Sequence, residues 1–155
     1  MARQIMTYNS SLENYLRAGV LSKFTAAEAI TAGDMVYLNG AGQVLKAVDP
    51  MTLWGPGGIA GVAEDTAASG EEVLVWQTGV FEFTTNQAAR IVPGNYVYVA
   101  GSCIKVDLGG TAAEISVGVA ESSTAGTASG EIVEVFITPV RKRSPYLYSS
   151  STPYL

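Results

Sequence analysis

The residue types that carry most enzyme chemistry are scarce in this chain. It contains no histidine, which removes the commonest general base, a common metal ligand and every nucleophile–histidine arrangement. The single cysteine, Cys103, lies in a strand-like stretch and is interpreted as a small buried residue. Glu71 and Glu72 are adjacent, so on a strand they point to opposite faces, whereas glycosidase carboxylates must face one substrate. We therefore predict that the chain is not an enzyme.

Other candidate sites are equally weak. Glu64-Asp65 is interpreted, like Glu71-Glu72, as solvated, with weak cation binding as the alternative. Gly55-Pro56-Gly57-Gly58 is glycine-rich, but the Lys-Ser/Thr of a phosphate loop is missing and no helix pattern follows. Tyr37, Tyr96 and Tyr98 are of a type that stacks on sugars or bases, but at strand spacing they are more typical of a core or an interface. The expectation is therefore no metal and no cofactor.

Composition and charge narrow the class of partner. Only 15% of the 155 residues are charged while 48% are hydrophobic, which suggests that some apolar surface is buried against partners. The net charge of −5 argues against nucleic-acid binding, which needs clustered Lys and Arg. No apolar run approaches the roughly 20 residues of a membrane span, and Met1–Ser10 is too polar for a signal peptide. We expect synthesis in a cytoplasm and neither nucleic-acid nor membrane partners.

The middle of the chain has the pattern of short strands. Val80–Thr84 and Ile132–Ile137 alternate between apolar and polar residues, and Val73–Trp76 is apolar on both faces. Turn signals between the runs are Asn39-Gly40, Ser69-Gly70, Pro93-Gly94, Gly109-Gly110 and Ser129-Gly130. Strands at this spacing, with almost no helical period, predict an all-β fold: a small β-barrel or a two-sheet sandwich.

The chain also resembles itself. Three segments recur in the same order: Ile30–Tyr37 with Ile91–Tyr98, Gly61–Glu64 with Gly118–Glu121, and Ala68–Glu71 with Ala128–Glu131, the last after three extra residues. Chance matches in a Gly/Ala/Val-rich chain are the alternative, but the shared order favours two pseudo-symmetric repeats with one core. The predicted division is an N-terminal arm (1–26), a β domain (27–138) made of repeat one (27–85) and repeat two (86–138), and a C-terminal tail (139–155).

The N-terminal arm carries one helix signal. Ser10-Ser11-Leu12-Glu13 has the form of a capping box, and Gly19 is placed to end the helix. About two turns are too short to be stable alone in water, so this extended arm must dock on its own barrel or on a neighbour. The residues predicted to bind a partner are Tyr8, Leu12, Tyr15 and Leu16.

The C-terminal tail joins a basic cluster to a duplicated motif. Ser/Thr-Pro-Tyr-Leu occurs at 144–147 and again at 152–155. Proline fixes an extended entry while Tyr and Leu supply apolar area, which suits docking in a groove or against a sheet edge; a disordered tail is the alternative. The basic cluster would meet an acidic protein surface. The residues predicted to bind are Arg141, Lys142, Arg143, Pro145, Tyr146, Leu147, Pro153, Tyr154 and Leu155.

The ordered set of these motifs resembles a known family. From Ile30 to Ile137 the chain is similar to the capsid decoration, or cement, proteins of tailed bacteriophages. The residues that carry the resemblance are the two copies of the turn-and-strand motif, the Gly-Val-Ala-Glu segments, the Ala-x-Gly-Glu segments and Gly79-Val80-Phe81-Glu82-Phe83. Each motif alone is only a turn and a strand, so their order carries the resemblance.

The resemblance implies a structural role. Such proteins sit on the outside of the icosahedral head, often as trimers at local threefold positions, and clamp the major capsid protein after head expansion. It therefore implies a head-stabilising virion protein on the outer capsid surface that binds the major capsid protein and sister copies, as a homotrimer. The family offers no catalytic residues to carry over, and the Pro-Tyr-Leu tail is not part of its pattern.

Two alternatives remain from other classes. A carbohydrate-binding or adhesion module on a virion or cell surface predicts exposed aromatic residues in a concave site, with Trp54 and Trp76 as candidates. A hydrolase that depends on Glu71 or Glu72 is the third reading.

Overall fold

The computed structural model describes residues 3–4, 20–52, 58–109 and 114–137, and within these ranges the chain forms β-strands and no helix. The strands are β1 (Arg3–Gln4), β2 (Leu21–Ala26), β3 (Met35–Leu38), β4 (Gln43–Lys46), β5 (Ile59–Ala63), β6 (Glu72–Trp76), β7 (Gly79–Thr85), β8 (Tyr96–Ala100), β9 (Ser102–Leu108), β10 (Gly118–Ala120) and β11 (Ile132–Ile137). The all-β prediction is confirmed. The described residues contain no helix that is long and apolar enough to cross a membrane.

Two closed five-stranded barrels account for ten of these strands. In the first barrel the order is β2-β4-β3-β5-β6, closed by the pairing of β6 with β2. In the second barrel the order is β7-β9-β8-β10-β11, closed by the pairing of β11 with β7. Because each barrel is closed, every one of these ten strands has a neighbouring strand on both sides.

The two barrels repeat each other strand by strand. In the first barrel β2 runs parallel to β4, and in the second barrel β7 runs parallel to β9. All other pairings within the barrels are antiparallel. β2–β6 therefore correspond to β7–β11, and the predicted pseudo-symmetric repeats are confirmed.

The first strand of each barrel lies before the predicted start of a repeat. β2 lies inside the predicted arm 1–26 and pairs within the first barrel, and β7 lies at the end of the predicted unit 27–85 and pairs within the second. The reason is that the matching motifs begin at Ile30 and Ile91, after the first strand of each barrel.

The glycine that begins each Gly-Val-Ala-Glu segment is explained by a close approach between strands. A Cβ added to Gly61 would lie 2.0 Å from the carbonyl oxygen of Trp76, and Gly61 has a φ of 157°. A Cβ on Gly118 would lie 2.1 Å from the carbonyl oxygen of Phe136. Trp76 lies at the end of β6, and Phe136 is the last residue but one of the corresponding strand β11, so the same backbone contact requires glycine in both barrels.

Two apolar clusters fill the structure. One is the interior of the first barrel, with Ala26, Ile30, Val36, Val44, Ala60, Ala63, Ala67, Val73 and Val75. The other fills the second barrel, with Phe81, Phe83, Ile91, Val97, Val99, Val106, Val117, Ala120, Val133, Val135 and Ile137, and continues onto Met35, Ala47, Met51, Ile59 and Val62. The outward side chains of β3 and β5 are thus buried against the second barrel, which joins the barrels through one core.

Candidate partner-binding surface

The residues predicted from sequence to bind a partner lie outside the described residues. This applies to Tyr8, Leu12, Tyr15 and Leu16 in the arm, and to the tail residues from 141 to 155. Those assignments stay predictions. Of the arm before residue 20, the structure describes only β1, which pairs with Phe81 and Glu82 of β7. It takes the edge of β7 next to the site where β9 pairs with Thr84 and Thr85, since β11 occupies the other edge.

Cys103 lies where the two barrels meet. It is half-buried on β9 and packs against the shared core. Burial raises the pKa of its thiol to about 11, helped by the negative charge of Asp34 and a hydrogen bond to that side chain from the first barrel. A thiol held protonated in this way is a poor nucleophile, which agrees with the structural interpretation of this residue.

The paired acidic residues have local structural partners. The Glu71 carboxylate accepts the backbone N–H of Ala68 at 2.7 Å, and Glu72 lies 3.6 Å from the ammonium of Lys23, with both of the latter side chains exposed. Asp65 accepts the backbone N–H of Leu74. In the described part of the chain, no three His, Cys, Asp or Glu side chains are grouped so as to hold a metal ion.

Of the two tryptophans named for the carbohydrate alternative, the structure describes only Trp76. Trp54 lies outside the described residues. Trp76 is half-buried, packs against the shared core, and its indole N–H donates to the carboxylate of Glu64. Trp76 therefore contributes to the packing of the barrels.

Each barrel presents a row of three apolar side chains on its outer face. Met35 faces Val62 across β3 and β5, and Val62 faces Trp76 across β5 and β6; we call these three the first row. In the second barrel Tyr96 faces Val119, and Val119 faces Phe136; these form the second row. Because residues directly opposite in antiparallel strands point to the same face, each row is one continuous strip.

The two rows differ in burial although they occupy the same place in the fold. In the first row Met35 is 0% exposed and Val62 is 1% exposed, because the second barrel covers them. In the second row Tyr96 is 63% exposed, and Val119 and Phe136 are only half-buried. The second row is therefore an aromatic and aliphatic strip that the described part of the chain leaves open.

Hydrogen bonds at the junction explain why the first row is covered. The N–H of Gly101, in the turn between β8 and β9, donates to the Asp49 carboxylate at 2.9 Å. The N–H of Ile115 donates to the carbonyl of Met51 at 2.7 Å. The loop after β4 is therefore hydrogen-bonded to the second barrel, and the outer face of β3 packs against β9.

Further apolar surface extends the second row. Ile132 is 59% exposed and lies on the same face of β11 as Phe136, with Glu134 between them. Glu134 on β11 lies directly opposite Glu82 on β7, which adds acidic character to the face. An exposed apolar strip that contains aromatic side chains and has charged residues beside it is typical of a protein–protein interface. Its chemistry suits binding rather than catalysis.

Sequence reasoning named Tyr96 but did not select it as a binding residue. The signal was present, because Tyr96 aligns with Met35 in the internal repeat. The alignment of the repeats does not show which of the two residues is buried. Both have a largely apolar side chain at an outward position, and only the packing of one barrel on the other distinguishes them.

Comparison with known proteins identifies the family and a related fold. The model of the phage cement protein family matches residues 46–137, which is more than half of the chain. The structure is similar to the head fiber gp8.5 N base of bacteriophage phi29, with a TM-score of 0.50 and 12% sequence identity over 79% of this chain and 96% of that one. At that identity the similarity shows a shared fold. No curated protein matches the sequence.

The family match and the earlier resemblance rest on overlapping residues. The matched range covers part of the first barrel and the whole of the second, including the second row. The resemblance to phage cement proteins is thus confirmed, and it supports a capsid-associated structural role. The chain belongs to the phage cement protein family.

Proposed function

We propose that this chain is a cement protein that binds the outer surface of the major capsid protein lattice and stabilises the phage head. The observation that carries the proposal is the family match over residues 46–137. The open second row supports it, because an exposed tyrosine next to other apolar side chains on one face is typical of a surface that binds another protein. The function is non-enzymatic and needs no cofactor.

The mechanism follows from a rigid body with weak contacts repeated over a lattice. The two barrels share one core, so force applied to one is transmitted to the other. Each copy contributes a modest contact, and linkage between neighbouring contacts raises the overall affinity. Sister copies associate as a homotrimer in this proposal, which multiplies the number of capsid contacts for each assembled unit.

The arms extend the contacts beyond the barrels. β1 is anchored on β7, so the N-terminal arm leaves from the second barrel. In the proposal, the apolar residues Tyr8, Leu12, Tyr15 and Leu16 then contact a sister copy or the capsid. The tail adds the Pro-Tyr-Leu segments, and Arg141, Lys142 and Arg143 meet an acidic surface on a neighbour.

Binding to heads is the direct test. Purified full chain is mixed with expanded heads that lack it, the heads are pelleted, and the bound protein is measured on a gel. Saturable binding to expanded heads, with a higher temperature of genome release, is the expected outcome. Absence of binding across micromolar concentrations would refute the proposed function.

A deletion tests the tail separately. Removal of residues 139–155 is expected to lower occupancy and the heat resistance of the heads, while circular dichroism stays unchanged because β11 ends at Ile137. A variant with Arg141, Lys142 and Arg143 replaced by glutamine separates the charge from the Pro-Tyr-Leu segments. Undiminished occupancy and stability after the deletion would remove the tail from the account.

A further inference from the structure

We propose that the second row is the surface through which one copy of this chain binds the first barrel of a second copy. This inference rests on the proposed function, since it identifies the contact that holds sister copies together. The second row is Tyr96, Val119 and Phe136 on the outer face of β8, β10 and β11.

The fold already uses this position as a packing face. Within one chain the first row packs on the second barrel, and Met35 and Val62 become fully buried there. The second row has the same position, the same strands and a comparable apolar character. A barrel of this kind can therefore pack on the second row, and each further copy of the chain carries one.

The contact between the two barrels inside the chain is not two-fold symmetric. A two-fold contact between the barrels would bury corresponding residues equally, but Met35 is 0% exposed and Tyr96 is 63% exposed. The contact is therefore head-to-tail: the first barrel uses its row, and the second uses β9 and the turn at Gly101. A head-to-tail contact leaves one face uncovered on each barrel. These two uncovered faces correspond in the fold to the two faces that bind each other within the chain, so they can bind each other between copies.

The face on the second copy is the turn between β3 and β4. The counterpart of the turn at Gly101 is the turn 39–42 between β3 and β4, which is exposed at residues 40–42. Gly42 has a left-handed φ of 81°, as Gly101 does at 78°. A Cβ built on Gly40 or Gly42 meets nothing within 4 Å, so no described residue of the same copy covers this turn and a neighbouring copy can approach it. The turn holds no charged residue, so Tyr96 can pack there without burying a charge.

The same geometry sets the form of the assembly. Head-to-tail contacts close into a ring when the rotation between copies allows it, and otherwise continue as a filament. A closed ring of few copies agrees with the homotrimer in the proposed function. It places Tyr96 in the interior of each contact, where aromatic residues contribute most to binding.

The test uses the full chain and two matched variants. Tyr96→Asp places a charge in the second row, and Val48→Asp places one at another exposed apolar residue, 42% exposed, on the loop after β4. Sedimentation velocity over a concentration series measures self-association in solution. Chemical cross-linking on heads, followed by gel electrophoresis, measures it on the capsid. Circular dichroism checks that each variant is folded.

The expected result is self-association of the native chain, in solution or on heads, that Tyr96→Asp weakens about tenfold or more and Val48→Asp leaves unchanged. Equal association of the native chain and Tyr96→Asp would overturn the inference, as would cross-linking only to capsid subunits. Loss of head binding by Tyr96→Asp with association intact would assign the row to the capsid and also overturn it. Self-association through Tyr96 without any head binding would keep this surface and refute the proposed function.

Discussion

The two barrels of this protein have one topology and two different surfaces. Each pairs its strands in the same order, and each builds the turn before its second strand alike: Gly33 donates to the Ala63 carbonyl and Gly94 to the Ala120 carbonyl, both at 2.9 Å. The difference lies at the rows, where Met35 is buried and Tyr96 is exposed. The comparison teaches that the repeated backbone sets where a packing face lies, while the neighbour of each barrel decides whether that face is covered.

The largest expected effect separates the two rows by stability. Met35→Ala removes a fully buried side chain between the barrels and should lower the free energy of unfolding by about 3 kcal/mol. Tyr96→Ala, at the corresponding exposed position, should change it by less than about 0.5 kcal/mol in dilute protein. Urea denaturation followed by fluorescence measures both. Equal losses at the two positions would show that the rows are buried alike, contrary to this structure.

The next effect tests the close strand approach shared by the barrels. Gly61→Ala and Gly118→Ala each force a Cβ against a facing backbone carbonyl, and each should cost about 2 kcal/mol of unfolding free energy. Gly40→Ala is the matched control, because its Cβ meets open space. A cost confined to one barrel would break the equivalence of the repeats.

A third prediction probes the junction through Cys103. Because the thiol pKa is about 11 instead of 9.0, about a hundredfold fewer thiolates are present at pH 8 than for an unperturbed cysteine, and alkylation should be slowed by about that factor. The rate of iodoacetamide labelling should rise about tenfold per pH unit up to that pKa. Labelling at the rate of a free thiol would mean that the barrels separate in solution.

Replacing Asp34 sharpens the same measurement. Asp34→Asn gives the first repeat the amide that Asn95 supplies in the second, where its side chain accepts the N–H of Val92 just as Asp34 accepts that of Thr31. The change removes a negative charge beside Cys103, so labelling should accelerate, yet stay slower than for a free thiol because burial is the largest cause of the raised pKa. An unchanged rate would contradict the assigned contact.

The smallest effect concerns a loop that is three residues longer in the second repeat than in the first. The Glu131 carboxylate accepts backbone N–H groups from Ala125 to Ala128, and these bonds, with that of Ala125 foremost, hold its pKa below the usual 4.5. A lowered folded pKa stabilises the protein above pH 4.5, and this contribution disappears as the pH falls through the lowered value. Glu131→Gln should therefore lower the melting temperature slightly at pH 7, and the difference from the native chain should vanish in acid.

Glu71→Gln is the control for that loop. Glu71 is the counterpart of Glu131 in the first repeat and accepts the N–H of Ala68 among the described residues. Its replacement should lower the melting temperature less at pH 7. A larger loss from Glu71→Gln than from Glu131→Gln would contradict the role given to the three inserted residues.

Sequence reasoning recovered the fold class, the repeats and the family because each depends on local signals in a fixed order. Turn glycines and alternating residues mark strands directly, and the Gly-Val-Ala-Glu segments mark a strand approach that only glycine permits. The predicted repeats begin after β2 and after β7 because the first strand of each barrel carries no motif shared with the other. It did not separate Tyr96 from Met35 because burial there depends on packing between barrels, which no local pattern records.

An electron cryomicroscopy reconstruction of heads, with and without this protein, tests the central claim most directly. The account predicts added density on the outer capsid surface, into which the two barrels fit with Tyr96 turned toward the turn 39–42 of a neighbouring copy. Heads without added density, or density in which Tyr96 faces solvent while another surface holds the copies together, would contradict it.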